Sequence, residues 1–447
     1  MAREKSIGVR SVLTRLFPTR KLERLARETG AVIRKRKVVI REFFLSVVLG
    51  FGAGTKRTIA GMRRAFGLAT GKRVSRSAFY KRFTPGFVRF LKEIAGQSMD
   101  AIAKTEGKLK GVWRAFKDVI ITDASVIRLH ELLKKRFPAC RTNHTDAAAK
   151  LHVVLSVVGR GARSVKITSE RRNDGRVFQV GPWVRNRLLL FDLGYYRYQL
   201  FDCIRRNGGF FLSRLKGNSN PVITAVHRTW RGKSVPLVGE KLQDVLHRLQ
   251  RKVLDVEVDL TFHRRKYSGK RSRTTRKFRL VGVCDKASGE YHLYVTNIPV
   301  ETLSAEEVAR LYPARWGVEL YFKMLKSHYR LDDLPSRKEE FVEALLYSSL
   351  ITAIVSERLL QALKKILSKE EAERVRDARW AKLFAEQACT ILEVLLSSIQ
   401  EIKSQLRRLE RLLRYEAPDP NVSRESLQQQ VENGTHVYRP QIHAASA

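Results

Sequence analysis

The run VWRAFKDVIITDASVIRL, Val112 to Leu129, changes the texture of the chain. Before it the apolar residues recur three or four apart; within it, β-branched residues crowd up to an aspartate, Asp123. This reads as a core strand ending at Asp123. Two more strands follow in KLHVVLSVVG and RSVKITSE, and a fourth, RLLLFD, is short, apolar and again closed by an acid, Asp192. A helix from Tyr196 to Arg206 leads to a fifth strand, GGFFLSRLK. Three strands in meander followed by strand and helix in alternation is the order of an α/β sheet with mixed strand directions.

Around this centre lie other textures. From Lys21 to about Gly96 the pattern is helical, as in REFFLSVVLG and AFYKRFTPGFVRFLKEIA, with Ser75 and Ser77 as caps. The segment 1–105 reads as a small basic domain, either a DNA-end reader or a helical cap on its neighbour. Residues 106–338 hold the α/β domain. Between 217 and 300, KVLDVEVDLTF, KFRLVGVC and YHLYVTN interrupt it as a β-rich insertion. Residues 339–415 are helical throughout. Their seam Leu392, Leu395, Ile399, Ile402, Leu406, Leu409 and Leu413 suits packing within the chain or a dimer. The polar segment 416–447 reads as disordered.

Charge narrows the class of partner. The chain has 447 residues with 87 Lys and Arg against 44 acids, a net +43. The first hundred residues carry 24 of those bases and 6 of the acids. Self-repulsion of this size calls for a polyanion nearby, and bases spread over distant segments favour nucleic acid. The run HRRKYSGKRSRTTRKFR contains Arg264, Arg265, Lys266, Lys270 and Arg271 and no acid; it is either a solvated loop or a DNA contact. No uncharged apolar stretch nears the roughly 18 residues that cross a bilayer. No membrane is expected, and the location is expected to be cytoplasmic. Cys140, Cys203, Cys284 and Cys389 lie far apart, without the spacing of a zinc site or a disulfide framework.

Asp123 and Asp192 admit two readings, as turn formers or as ligands of a hard cation at the strand ends where open α/β sheets place their sites. A third acid joins them. In YPARWGVELYFKMLK, residues 312–326, Arg315, Glu319 and Lys326 fall within about 40° of one another on a helix. Arg315 and Glu319 form either a plain i, i+4 ion pair or part of a site where bases bind phosphates beside Glu319. Trp316, Leu320, Phe322 and Leu325 are expected to bury the rest of the helix. SAEE offers a capping box from Ser304 to Glu307, and Pro313 ends one helix and opens the next.

Tyr312, Arg315, Glu319 and Lys326 match Y-x2-R-x3-E-x6-K without a gap. The chain therefore resembles the DDE transposases of the insertion-sequence-four group, with ITDAS and FDLGY like their two aspartate motifs and YVTN like their segment closing the insertion. The resemblance implies a ribonuclease-H-like catalytic core with a β-rich insertion, flanked by N-terminal and C-terminal helical domains. It implies that Asp123, Asp192 and Glu319 hold two Mg2+ ions, with Mn2+ as a substitute, and that Tyr312, Arg315 and Lys326 grip phosphates of the element's ends. The partners implied are double-stranded DNA, as ends and target, and a second copy of the chain in a homodimer. The reaction implied is end cleavage by activated water and attack of the freed 3′-hydroxyl on target DNA. A nuclease without strand transfer and an inactive DNA-binding descendant are the alternatives. Some members hold a flipped base on an aromatic of the insertion; here Trp230 lies too early for that role, and Tyr291 or Tyr294 stands either there or in the core.

Overall fold

A computed structural model describes residues 8–34, 38–52, 57–140, 145–228, 236–249, 251–263, 273–285, 289–334, 336–396 and 399–433. The centre is a nine-stranded sheet: β1 (Asp118–Leu129), β2 (Ala147–Ser156), β3 (Gly161–Ser169), β4 (Arg187–Phe191), β5 (Phe210–Arg214), β6 (Val222–Val226), β7 (Val253–His263), β8 (Arg273–Cys284) and β9 (Tyr291–Thr296). Their spatial order is β3-β2-β1-β4-β5-β9-β8-β7-β6. β1, β2 and β3 form an antiparallel meander, while β4 joins β1 and β5 joins β4 in parallel. The helix Tyr198–Arg206 makes the crossover between β4 and β5. The architecture is mixed α/β.

Two expectations shift. β1 does not stop at Asp123 but runs on to Leu129, because β2 pairs with it along that whole length, Asp123 opposite Val153. The strands of 217–300 join the same sheet, β9 pairing antiparallel with β5. Nothing in their side-chain pattern marks that junction, since a ladder is made by backbone groups.

Alternation along each strand divides the apolar residues between two cores. Val119 and Ile121 of β1 and Leu188 and Leu190 of β4 face a helical layer, whereas Ile120, Leu189 and Phe191 face a second core beneath the helix Tyr198–Arg206. The helical layer draws on both ends of the chain. Pro85–Ala103 packs on β3 and on Glu339–Lys364, and Asp377–Leu396 packs on Ile40–Leu49 and Ile59–Thr70. Arg57, fully buried, ties them together, donating to the Val47 carbonyl at 3.3 Å and the Thr352 hydroxyl at 3.2 Å. Leu392, Leu395, Leu409 and Leu413 of the seam turn into this layer; the side chains of Ile399 and Ile402 lie outside the described residues. Beyond Glu416, where disorder is expected, Ala417 and Val431 are buried, and a short helix, Leu427–Asn433, packs against the turn Tyr312–Arg315.

The second face carries a buried histidine. His152 on β2 is 5% exposed and its Nε2 lies 2.9 Å from the Thr168 hydroxyl. That hydroxyl donates to the Ser169 carbonyl, so it accepts from Nε2–H. Nδ1 is left bare, 3.5 Å from an oxygen of Asp174. Burial pulls the imidazole down to about 4, with Lys150 and Lys166 adding to the effect and Asp174 opposing it. The unfolded chain, with an ordinary histidine, takes up a proton that the folded state refuses. Stability contributed by neutral His152 is therefore complete above about 6.5 and declines by up to about 3 kcal/mol as pH falls to about 4. The difference in urea midpoint between wild type and His152→Gln should change across pH 6.5 to 4; a constant difference contradicts this assignment.

Candidate active site

The parallel pairing of β1 with β4 ends at Ile121 opposite Leu190. Continued two residues past that point, just beyond the end of β4, the same register would set Asp123 abreast of Asp192. The backbone of Asp192 is still extended, at φ −81° and ψ 165°, so the alternation of faces continues through it. Both aspartates therefore fall on the face of Ile121, Leu188 and Leu190, toward the helical layer. β4 stops at Phe191 while β1 continues, which opens a crevice at the end of the parallel ladder. Asp123 to Val126 are accordingly half-buried in a strand otherwise largely buried.

The helix Trp316–Ser327 covers that face, burying Val318, Phe322 and Leu325. It comes close because of Gly317, where a Cβ would sit 3.3 Å from Cδ1 of Ile121. A capping box formed by Ser304 and Glu307 begins the preceding helix, Ala305–Leu311, and a 3-10 turn at Tyr312–Arg315 joins the two across Pro313. The Tyr312 hydroxyl donates to the Phe191 carbonyl at 3.2 Å, one residue before Asp192. At the other end the Lys326 ammonium donates to the Val126 carbonyl at 3.4 Å, three residues beyond Asp123. The helix that carries Glu319 is thus pinned to both aspartate-bearing strands.

These placements alter the expected roles. Tyr312 is 2% exposed, with its ring 5.2 Å from that of Tyr294 and tilted to it, so in this structure it serves as a strut between elements and not as an exposed phosphate contact. Arg315 is also buried, and its Nη2 lies 2.8 Å from Glu319 Oε1. The plain ion pair is therefore real, and it sits inside the acidic cluster. Leu320, expected to be buried, is 53% exposed, and Leu193, following Asp192, is 36% exposed. Tyr294 is core, and Tyr291 donates its hydroxyl to the Arg251 carbonyl. Trp230 and the bases Arg264, Arg265, Lys266, Lys270 and Arg271 lie outside the described residues. The strut made by Tyr312 and the close approach at Gly317 carry no signal in the sequence, because each depends on a partner far along the chain.

Electrostatics join the three acids into one unit. Burial pushes the Asp123 carboxyl up to about 6; the Ala124 N–H opposes this, Asp192 and Glu319 add repulsion, and Arg315 relieves part of it. Burial works against the charge of Arg315, yet Tyr312, Asp192 and Glu319 outweigh it and raise its pKa. Three carboxylates against one guanidinium leave negative charge that a cation would neutralise, and an all-oxygen donor set suits a hard divalent ion. Among the described residues no three acidic, histidine or cysteine side chains form a ready-made ion cage. The donor chemistry fits such an ion, and in this arrangement Glu319 is engaged by Arg315.

Comparison with known proteins bears on this arrangement. The family model described as "Transposase DDE domain" matches residues 114–355, more than half of the chain, and spans both aspartates and Glu319. The chain is 20% identical over 395 residues to the transposase for insertion sequence element IS1151 of Clostridium perfringens, covering 81% of this chain and 82% of that protein. It is 23% identical over 420 residues to the transposase for insertion sequence element IS231F of Bacillus thuringiensis subsp. israelensis, covering 88% of each. A cryo-EM structure of the piggyBac transposase synaptic complex with hairpin DNA overlays with a TM-score of 0.48 at 11% identity, covering 93% of this chain and 87% of that one.

Proposed function

Because this chain belongs to the transposase DDE domain family and is a DNA transposase, we propose that Asp123, Asp192 and Glu319 are its catalytic carboxylates, set on a ribonuclease-H-like core. The observation that supports this reading is that Asp123, on the strand paired with β4, lies within electrostatic reach of Asp192, Glu319 and Arg315. Divalent metal ions serve this family in general. Here the three carboxylates would hold two Mg2+ ions, which when bound polarise the scissile phosphate and lower the pKa of a bound water.

The chain's own residues do the rest. Asp123 presents its oxygens from β1 and Asp192 from just past the end of β4, so their positions would be held before DNA arrives. Glu319 is movable by comparison, because its side chain is one-third exposed and held by a single arginine. Once Glu319 turns to the aspartates, Arg315 is freed beside the crevice and its guanidinium can meet a phosphate oxygen. Lys326 offers a second cation along β1. The whole reaction would be cut-and-paste transposition by a homodimer on the terminal inverted repeats of its element, with the basic N-terminal helices contributing to end recognition.

The test uses a labelled duplex carrying the element's own ends still joined to flanking DNA, mixed with wild-type protein, Mg2+ and supercoiled target plasmid. Joined products are expected. Cleavage without joining would show a nuclease, and binding with neither step would show a DNA-binding descendant.

A further inference from the structure

A cleft of about 980 Å³ lies at the seam between the N-terminal helices and the sheet, away from the carboxylates. Its walls include Arg76, Ser77 and Tyr80 of the helix Arg76–Tyr80, His130 just past β1, and Arg337 and Lys338 ahead of the helix Glu339–Lys364. Lys338 is already committed. It donates to the Phe83 carbonyl at 2.6 Å and its ammonium lies 5.3 Å from the Tyr80 ring. Of the nearby acids, Glu339 pairs with Arg136 at 3.0 Å and Glu340 with Lys338 at 3.9 Å, while Glu131 and Asp332 are exposed. Arg76 and Arg337 are different. Both are exposed, and among the described residues neither has an ion-pair or hydrogen-bond partner. Two free guanidiniums face a cleft whose lining holds bases and no acid, so the site is complementary to an anionic chain.

The position of the cleft identifies which chain. β1 leads straight from the carboxylates to it: Asp123, then Val126 with the Lys326 ammonium on its carbonyl, then His130 at the cleft wall. Seven residues of strand span about 23 Å. Duplex DNA advances about 3.4 Å per nucleotide along each strand, so this length corresponds to about seven base pairs. We propose that the cleft binds the phosphate backbone of the element-end duplex about seven base pairs from the bond cut at the carboxylates, with Arg76 and Arg337 as the phosphate ligands. Recognition of the end would then be shared across the seam and not confined to the N-terminal helices. This rests on the transposase reading of the carboxylate site.

The experiment compares full-length wild type, Arg76→Ala/Arg337→Ala and Arg76→Lys/Arg337→Lys on a labelled end duplex. Affinity is measured over a range of salt, and phosphates are mapped by ethylation interference. The double alanine protein is expected to bind at least tenfold more weakly, with a salt slope shallower by about 1.8, roughly 0.9 for each phosphate no longer neutralised. Interference about seven nucleotides from the cleaved bond should vanish in it, and the double lysine protein should recover the slope. An unchanged slope and interference pattern in the double alanine protein overturns the inference while leaving the transposase reading intact. The same holds if that protein differs from wild type only in oligomeric state, which would give the cleft to a second copy. Failure of wild type to bind the duplex at all would overturn both.

Discussion

Asp123→Asn is expected to produce a protein that is more stable than wild type and unable to cut DNA. In the metal-free protein the Asp123 carboxylate is half-buried and faces two like charges, Asp192 and Glu319. A carboxyl raised from about 3.8 to about 6 implies a penalty for ionisation at pH 7 of up to about 3 kcal/mol. Asparagine removes the charge and keeps the Oδ1 that accepts the Ala124 N–H at 2.7 Å. Thermal unfolding without divalent ions should therefore shift upward. Removing a ligand from a metal centre should lower the cleavage rate by about a thousandfold or more, comparable to the loss of a major electrostatic group elsewhere. An ordinary structural aspartate behaves in the opposite way, since its loss lowers stability and leaves chemistry nearly intact. A destabilised, active Asp123→Asn protein would remove Asp123 from the site.

The second large effect concerns an ion pair remote from the carboxylates. Arg279 on β8 and Asp255 on β7 are 6% and 5% exposed, and the guanidinium grips the carboxylate at 2.8 and 2.7 Å. Its Nη1 also donates to the carbonyls of Ile298, Pro299 and Leu303, the segment running into the capped helix that precedes Tyr312. Arg279→Met leaves Asp255 buried and unpaired, and the expected loss is about 3 to 5 kcal/mol. Adding Asp255→Leu removes the stranded charge, so the double variant should recover part of that loss. It should not recover all of it, because the carbonyls of Ile298 and Leu303 lose the guanidinium, while that of Pro299 keeps the N–H groups of Thr302 and Leu303. Urea midpoints of the single and double variants measure both quantities. A single-variant loss below about 1 kcal/mol would show that the pair is not needed to hold this segment.

What can be read from the residues alone follows the range of the interactions involved. Asp123, Asp192 and Glu319 are visible because an acid beside a buried apolar run conflicts with packing, and that conflict is local. The common phase of Arg315, Glu319 and Lys326 is visible because a helix repeats over a few residues. The role of Tyr312 is not, because its partner is a backbone carbonyl 121 residues away. The attachment of β9 to β5 is hidden for the same reason, and so is the shared helical layer. Arg57 reads as one more base in a basic segment until the Val47 and Thr352 oxygens surround it. Leu320 misleads in the other direction. Its apolar character suggests burial, whereas the narrow buried stripe of Val318, Phe322 and Leu325 leaves it exposed.

The central claim is that three carboxylates on one face form the catalytic centre. It is tested most directly by cleavage of a labelled duplex carrying the element's ends, in Mg2+, by wild type and Asp192→Asn, with binding measured on the same samples. Cutting at the end by wild type alone, with near-equal binding by both proteins, is the expected result. Equal cleavage by the two proteins, or loss of binding in step with cleavage, would contradict it.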